Sequence, residues 1–167
     1  MTATDTHVQI NLQINLPKQQ LDVWQAGDII QRYPVSTALN GPGQNRDSGC
    51  TPTGLHAIYR KIGADCPLNT EFVGRQAEPV LYSTERADKM PHKDWILTRI
   101  LWLTGCEYGL NRGGKQDTLQ RYIYIHGTPD TEPMGVPRSH GCIRMRNTDI
   151  IRLFEKVVEG TLVWINH

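Results

Sequence analysis

One cysteine and one histidine in the second half of the chain have neighbours that favour chemistry over packing. Cys142 lies in the segment Ser139-His140-Gly141-Cys142-Ile143-Arg144-Met145, and His126 precedes it by sixteen positions. A free thiol with a pKa of about 8.5 is only a few per cent thiolate near pH 7, so a nucleophilic cysteine needs an imidazole that accepts its proton. The pair therefore predicts cysteine acyl-transfer chemistry, with Cys142 as nucleophile and His126 as general base. We expect the pKa of such a thiol to be depressed and its labelling to be fast.

Two glycines beside these residues fit the same chemistry. Gly141 permits a tight turn with positive φ, so the amides of Gly141 and Cys142 could face one oxygen as an oxyanion hole. Gly127 would let its carbonyl approach the far ring nitrogen of His126 and fix the tautomer. His140 lies too close to Cys142 along the chain for an easy contact between the two side chains.

These motifs resemble the L,D-transpeptidase catalytic domain family of the YkuD type. That family carries a histidine followed, after a gap, by Ser/Thr-His-Gly-Cys, which here corresponds to His126-Gly127-Thr128 and Ser139-His140-Gly141-Cys142. A second matching element is the turn at 51–54, and the resemblance covers roughly residues 8–165. It implies a mainly β fold, an L,D-transpeptidase-like β-sandwich with one helix near the C-terminus.

The resemblance also implies roles and a substrate. Cys142 is the nucleophile, His126 the base and the Gly127 carbonyl its orienter, while Ser139 and His140 support the oxyanion. The implied donor is a peptidoglycan stem tetrapeptide or muropeptide, and carbapenems are implied covalent inhibitors. Arg144 stands where many members have asparagine, which leaves its substrate contact open.

Arginines near Cys142 suggest how a carboxylate-bearing donor is held. Guanidinium groups bind carboxylates in a bidentate manner, and Arg144 and Arg138 are our candidates for substrate binding. The alternative is that these arginines only form a solvated, charged turn. The pattern favours substrate binding over this alternative for Arg144, and favours neither for Arg138 and Arg146.

Three other interpretations were weighed. His126, His140, Cys142 and Asp130 could ligate zinc, but no Cys-x-x-Cys or His-Glu-x-x-His spacing supports this, and we expect no metal or cofactor. Cys142 could instead be a small hydrophobic residue that only packs, but its Ser, His, Gly and Arg neighbours argue against this. Packing is the expected role of the other cysteines, Cys50, Cys66 and Cys106. The third alternative is a catalytically silent module that keeps the cleft for binding, but a binding role would not require a thiol.

Composition and the amino terminus set the expected compartment and acceptor. The 167 residues suit one domain spanning 1–167, and 18 basic against 17 acidic residues favour neither nucleic acid nor a membrane surface. Residues 1–16 contain no Lys or Arg, and apolar residues alternate with polar ones there as in a strand. We therefore expect a cytoplasmic protein with reduced cysteines. In the cytoplasm, water would resolve the thioester that forms on Cys142, which predicts an L,D-carboxypeptidase of peptidoglycan recycling. An exported L,D-transpeptidase is the alternative.

The remaining pattern predicts the elements that position the site. We expect a strand within 8–16, a hairpin formed by 20–24 and 29–39, and strands at 55–62, 121–125 and 161–165, with His126 at the end of its strand. Prolines interrupt 63–94, which we expect to cover the site as a flap. One helix should begin with Asn147 or Thr148 as its cap and stop at Gly160.

Overall fold

The computed structural model describes residues 8–167, and its regular structure is mostly strand. The strands are β1 (Ile10–Asn15), β2 (Gln20–Gln25), β3 (Asp28–Pro34), β4 (Gly54–Ile62), β5 (Phe72–Val73), β6 (Gln76–Ala77), β7 (Leu97–Gly105), β8 (Tyr124–Thr128), β9 (Ile143–Arg146) and β10 (Leu162–Asn166). The helices are α1 (Thr84–Asp88) and α2 (Asn147–Lys156), with one 3-10 turn at Gly114–Gln116. The mainly β prediction is confirmed.

Eight of these strands form one sheet in the order β3-β2-β1-β10-β4-β7-β8-β9. Register shifts at three strand pairs add local bends, as bulges do. The sheet curls until its ends meet, because the Ser36 amide donates to the Arg144 carbonyl at 2.9 Å and the Arg144 amide donates back at 2.8 Å. The two layers of the sandwich therefore belong to a single sheet.

The main core fills the inside of this curl. Alternate residues of each strand point inwards, and Ile150, Leu153 and Phe154 of α2 pack against them. The inward residues of β8 and β9 include Ile125 and Ile143, both fully buried. Their neighbours along each strand must consequently lie on the outer face of the sheet.

Residues 63–94, which we call the flap, lie on that outer face beside β7 and β8. Phe72 packs there with Ile100 and Tyr124. Within the flap, the buried Glu71 accepts from Arg86 at 2.7 Å and also from Lys93. Burial raises the pKa of Glu71, but its bonds to these two cations outweigh this and hold the pKa below its usual value. The flap is thus an ordered subdomain.

Four local predictions need correction or limitation. The strand expected at 121–125 starts later, at Tyr124, so His126 lies inside β8 and not at its end. The cap of α2 is Arg146, because Asn147 uses its side chain elsewhere, and the helix ends at Lys156 before Gly160 is reached. The short helix α1 was not predicted. The part of the amino-terminal prediction that falls on residues 1–7 lies outside the described residues.

The described part of the chain, 8–167, contains no helix that is long and apolar enough to span a membrane.

Candidate active site

The register between β8 and β9 brings the two predicted catalytic residues onto one face. Ile125 pairs with Ile143 and His126 with Arg144 in this parallel pair. Since the isoleucines face the core, His126 and Arg144 face outwards. Cys142 directly precedes β9 and packs with Tyr124, two residues before His126. The pairing of these two strands therefore places Cys142 and His126 on the same face although they are distant in sequence.

His126 is buried and held in one tautomer. Its Nδ1 lies 2.6 Å from the Gly127 carbonyl oxygen, to which it donates, as the sequence predicted. The nitrogen left to accept a proton is then Nε2. Burial lowers the pKa of His126, and this outweighs the raising effects of the Gly127 bond and of Asp94. A neutral ring is what a general base requires.

Only glycine fits after this histidine. A Cβ at Gly127 would lie 2.4 Å from Asn147 Oδ1 and 2.5 Å from the Leu97 carbonyl oxygen. The Asn147 side chain is fixed because its Nδ2 donates to the Thr128 carbonyl at 2.9 Å and its Oδ1 accepts from Thr98 Oγ1 at 2.7 Å. Asn147 thus anchors the strand that carries His126, a positioning residue that sequence reasoning missed because it was assigned to the helix cap.

Cys142 rests as a protonated thiol. The Tyr124 amide donates to its Sγ at 3.3 Å, and the thiol donates to the Tyr122 carbonyl at 3.5 Å. Burial raises the pKa of the thiol to about 12 although the Tyr124 bond lowers it. The expected depressed pKa is therefore wrong for the free protein, since desolvation disfavours the thiolate more than its neighbours stabilise it. The Tyr124 amide would stabilise charge that develops on sulfur during attack.

The loop before Cys142 is held by a serine. Ser139 Oγ accepts from the Gly141 amide at 3.3 Å and donates to the Cys142 carbonyl at 2.5 Å. Gly141 adopts φ 137°, so the predicted positive φ is confirmed. Thr51 Oγ1 donates to the Gly141 carbonyl at 2.9 Å, which ties the predicted turn at 51–54 to this loop. Because the Gly141 amide is engaged by Ser139, its oxyanion role stays a prediction.

The guanidinium group of Arg144 is engaged within the protein and is not free as expected. Arg144 is buried, and it donates to Asp94 at 2.7 Å and to Glu132 at 3.5 Å. Arg138 is exposed, and its backbone amide bonds the Thr37 carbonyl. The exposed His140 lies 3.4 Å from Asp94. Substrate binding by Arg144 and Arg138 therefore stays a prediction, and Arg144 serves at least to join the end of the flap to β9.

Asp94 is an acidic residue of the site that the sequence did not single out. Burial raises the pKa of Asp94, but Arg144, His126 and His140 together outweigh this and hold it below its usual value. Its ionised carboxylate is close enough to His126 for the two side chains to interact electrostatically. The signal that could have found it is its position at the end of the flap, three residues before the start of the apolar strand β7.

A second unpredicted feature is a cationic clasp at the tip of the flap. Arg75 lies in the turn between β5 and β6, and its guanidinium carbon is 4.9 Å from the centre of the Trp102 ring and 4.8 Å from that of Tyr122. The same group donates to the Tyr124 hydroxyl at 2.9 Å. Tyr122 and Tyr124 both contact Cys142 through their backbones, so the clasp fastens the flap beside the nucleophile.

The opposite side of the nucleophile loop is open. A cavity of about 520 Å³ lies there, lined by residues that include Arg46, Arg121, Tyr122 and His140. Arg121 donates to the carbonyls of Gly43, Gln44 and Cys50 and so holds the loop that forms one wall. Tyr122 and His140 place this cavity beside the nucleophile loop.

Cys50 follows Gly49, which lines this cavity. The Cys50 carbonyl oxygen lies 3.3 Å from where a Cβ at Gly141 would stand, and its thiol faces the carbonyls of Asn40 and Ser48 at 3.6 and 3.7 Å. The packing role of Cys50 stays a prediction.

The zinc interpretation finds no geometric support. Within residues 8–167 no three His, Cys, Asp or Glu side chains come together as a metal site would require. Asp130 lies 3.5 Å from the Asn147 amide.

Comparison with known proteins gives the family. Residues 9–165 match the L,D-transpeptidase catalytic domain family, YkuD. The chain belongs to this family. It is 54% identical over 43 residues to the probable L,D-transpeptidase YbiS of Escherichia coli K12, which is 26% of this chain and 14% of that protein. It is 45% identical over 47 residues to the putative L,D-transpeptidase YkuD of Bacillus subtilis, 28% of this chain and 29% of that protein. These matches thus span less than a third of each relative.

Solved structures of L,D-transpeptidases share the fold. The enzyme from Xylanimonas cellulosilytica superposes with a TM-score of 0.55 and 16% identity, over 99% of this chain and 64% of that one. L,D-transpeptidase 3 from Mycobacterium tuberculosis, in complex with a faropenem-derived adduct, gives a TM-score of 0.57 and 16% identity, over 96% of this chain and 61% of that one. The family member described here thus carries an L,D-transpeptidase-type catalytic domain.

Proposed function

We propose that the protein is a cysteine acyl-transfer enzyme that cleaves the bond between the diamino acid and terminal D-Ala of peptidoglycan stem tetrapeptides, with water as the usual acceptor. It would then be an L,D-carboxypeptidase of peptidoglycan recycling. The observation that carries the chemistry is the placement of a tautomer-fixed, neutral His126 and a protonated Cys142 on one face of β8 and β9.

The resting protonation states define the first step. Because the thiol and the ring are both neutral, His126 Nε2 takes the Cys142 proton as Sγ attacks the carbonyl carbon, and no free thiolate needs to accumulate. The Tyr124 amide supports the developing charge on sulfur. The tetrahedral intermediate collapses with loss of D-Ala, whose amine receives the proton from His126, and a thioester remains on Cys142.

The second step depends on access. The flap and its Arg75 clasp cover one side of Cys142, while the cavity beside Arg121 is open. A donor lying in the open cavity would leave little room for a second peptide unless the flap opened. Water, activated by His126, needs no such opening, which favours hydrolysis of the thioester.

L,D-transpeptidation is the second candidate. The names of the relatives in Escherichia coli and Bacillus subtilis favour it, and an amine acceptor would follow the same first step. Because the chain matches only part of those proteins, their activity is not transferred directly.

The decisive experiment is incubation of the purified protein with a stem tetrapeptide, with and without an amine acceptor, followed by mass analysis. We expect tripeptide and D-Ala in both cases. Efficient formation of a cross-linked product would favour the transpeptidase, and release of D-Ala by Cys142→Ala would exclude the thioester route.

The compartment is tested separately. We propose that the protein is cytoplasmic, and fractionation of cells followed by detection of the chain would test this. Recovery from the cell envelope, or loss of L,D cross-links from the wall of a deletion strain, would instead favour the transpeptidase. Accumulation of tetrapeptide species inside deletion cells would support recycling.

A further inference from the structure

A part of the sheet far from Cys142 carries two tryptophans that the catalytic chemistry does not use. Trp24 lies on β2 and Trp164 on β10, the two strands that flank β1. The active site is formed by β8 and β9, which are separated from β10 by β4 and β7. Any role for these tryptophans is therefore independent of the nucleophile.

Register places amide side chains between the two rings. Asn11 pairs with Trp24, and Gln13 pairs with Trp164. Leu12 and Ile14 of the same strand belong to the core, so Asn11 and Gln13 share the outer face with the tryptophans. We call this surface, formed by Asn11, Gln13, Trp24, Gln25 and Trp164, the tryptophan face.

The face is a shallow hollow of about 360 Å³. In the described residues, every side chain that lines it is uncharged. Trp24 is held in place because its Nε1 donates to Gln13 Oε1 at 3.0 Å, and the register shift between Val23 and Trp24 bends the strand there. Trp164 is 46% exposed and borders a second hollow of about 600 Å³ on its other side. The surface is thus open at both ends.

These properties select the chemistry of a ligand. Exposed indole rings offer flat apolar faces, and carboxamides offer both donors and acceptors. A pyranose ring matches both, because its faces carry C–H groups and its edges carry hydroxyls that donate and accept. The absence of charged lining residues among those described disfavours anionic ligands. An open hollow suits a polymer that passes across it better than a free monosaccharide.

The two tryptophans also occupy positions in the sheet that are compatible with contacts to more than one sugar. They lie on strands two positions apart in the sheet, so their backbones are separated by about 10 Å across the strands. We propose that the tryptophan face binds a neutral glycan chain, with Trp164 and Trp24 stacking on successive sugar rings and Gln13 and Asn11 bonding their hydroxyl or N-acetyl groups. This surface would hold the protein on a polysaccharide independently of catalysis.

The test is calorimetric titration of the full chain with a chitin oligosaccharide, a neutral β-linked chain of N-acetylglucosamine. We expect saturable binding that Trp164→Ala weakens about ten-fold through loss of ring stacking. Tyr108→Ala removes an aromatic ring that is 79% exposed outside the face, so it should bind like the unchanged protein. Cys142→Ala should bind equally well, which locates the ligand away from the nucleophile.

Several outcomes would overturn the proposal. These are the lack of saturable binding, equal affinity in Trp164→Ala, or loss of binding in Cys142→Ala. Self-association that Trp164→Ala abolishes, without glycan binding, would identify the face as an interface between copies. If Trp164→Ala failed to fold, Gln13→Ala would replace it with the same expectation. No peptide is turned over in this titration, so its failure leaves the proposed function untouched, and the reverse also holds.

Discussion

Individual residues of the site have protonation states that ordinary reference values do not give. Burial raises the pKa of Cys142 to about 12 and lowers that of His126. Both groups are therefore neutral in the free protein, and in the proposed mechanism proton transfer must accompany attack on the donor. Labelling of the free thiol is accordingly expected to be slow near neutral pH, in contrast to cysteines activated as thiolates.

The first prediction concerns this pair. Cys142→Ala should abolish D-Ala release while leaving the melting temperature nearly unchanged, and His126→Ala should lower the rate at least ~10²-fold by removing the base. A carbapenem should form its adduct on Cys142. An adduct mapped by mass spectrometry to Cys50, Cys66 or Cys106 would show that the nucleophile is another thiol.

The second prediction concerns Arg75. Arg75→Ala removes a cation that lies over two neighbouring aromatic rings, together with a bond to Tyr124, so the flap should open more often and Cys142 should be alkylated roughly ten-fold faster. An amine acceptor should then also compete better with water. Arg60→Ala is the matched control, since Arg60 lies 4.9 Å from the centre of the Tyr59 ring but outside the flap. Unchanged labelling in Arg75→Ala would contradict a closing role.

At the scale of elements, the site depends on how β8 is packed. The backbone at Gly127 approaches Leu97 of β7 and the start of α2 so closely that no side chain fits. Thr98, beside Leu97, has φ 73°, a strained value for a β-branched residue, and its hydroxyl bonds Asn147. Three elements thus converge to fix the ring of His126.

The third prediction follows from this packing. Gly127→Ala should lower the free energy of unfolding by about 1–3 kcal/mol through overpacking and should reduce turnover as His126 shifts. Gly135→Ala is the control, because there a Cβ would meet nothing within 4 Å and only the positive φ is strained. Chemical denaturation and D-Ala release measure the two effects. A Gly127→Ala variant as stable as the unchanged protein would mean that β8 adjusts without cost.

For the molecule as a whole, buried histidines link stability to pH. His56 is fully buried between the Gly54 carbonyl and Thr118 Oγ1, each 3.0 Å from a ring nitrogen. Burial lowers its pKa from 6.5 to about 4. Between these values the unfolded chain binds a proton that the folded chain does not. Stability must therefore fall as the pH falls through this window.

The fourth prediction gives the size of that loss. The free energy of unfolding should decrease by about 3 kcal/mol from His56 as the pH drops from above 6.5 to 4. His56→Gln should be less stable near neutral pH but show a flatter dependence, with a residual slope from His126, whose pKa is lowered as well. Urea denaturation at a series of pH values measures both. The same slope in the variant and the unchanged protein would refute the role of His56.

Residue types and their spacing along the chain were sufficient to predict a cysteine-based enzyme and its family. The features behind these predictions are local properties of the chain: the residue types around Cys142 and His126, the glycine after His126, the glycine before Cys142, and the alternation of the strands. They are local because turn conformation and strand periodicity depend on near neighbours. The Gly127 carbonyl contact and the positive φ of Gly141 were predictable for the same reason.

How the site is held and charged depends on contacts that form only in the folded chain. Asn147 was predictable as a helix-start residue, but its bonds to Thr98 and Thr128 join segments distant in sequence. Arg144 faces Asp94, and Arg75 reaches Trp102, only because the flap folds back on the outer face of the sheet. The raised pKa of Cys142 follows from desolvation by this packing. Such contacts and burial depend on which segments meet in space, and the linear pattern of residues does not encode them locally.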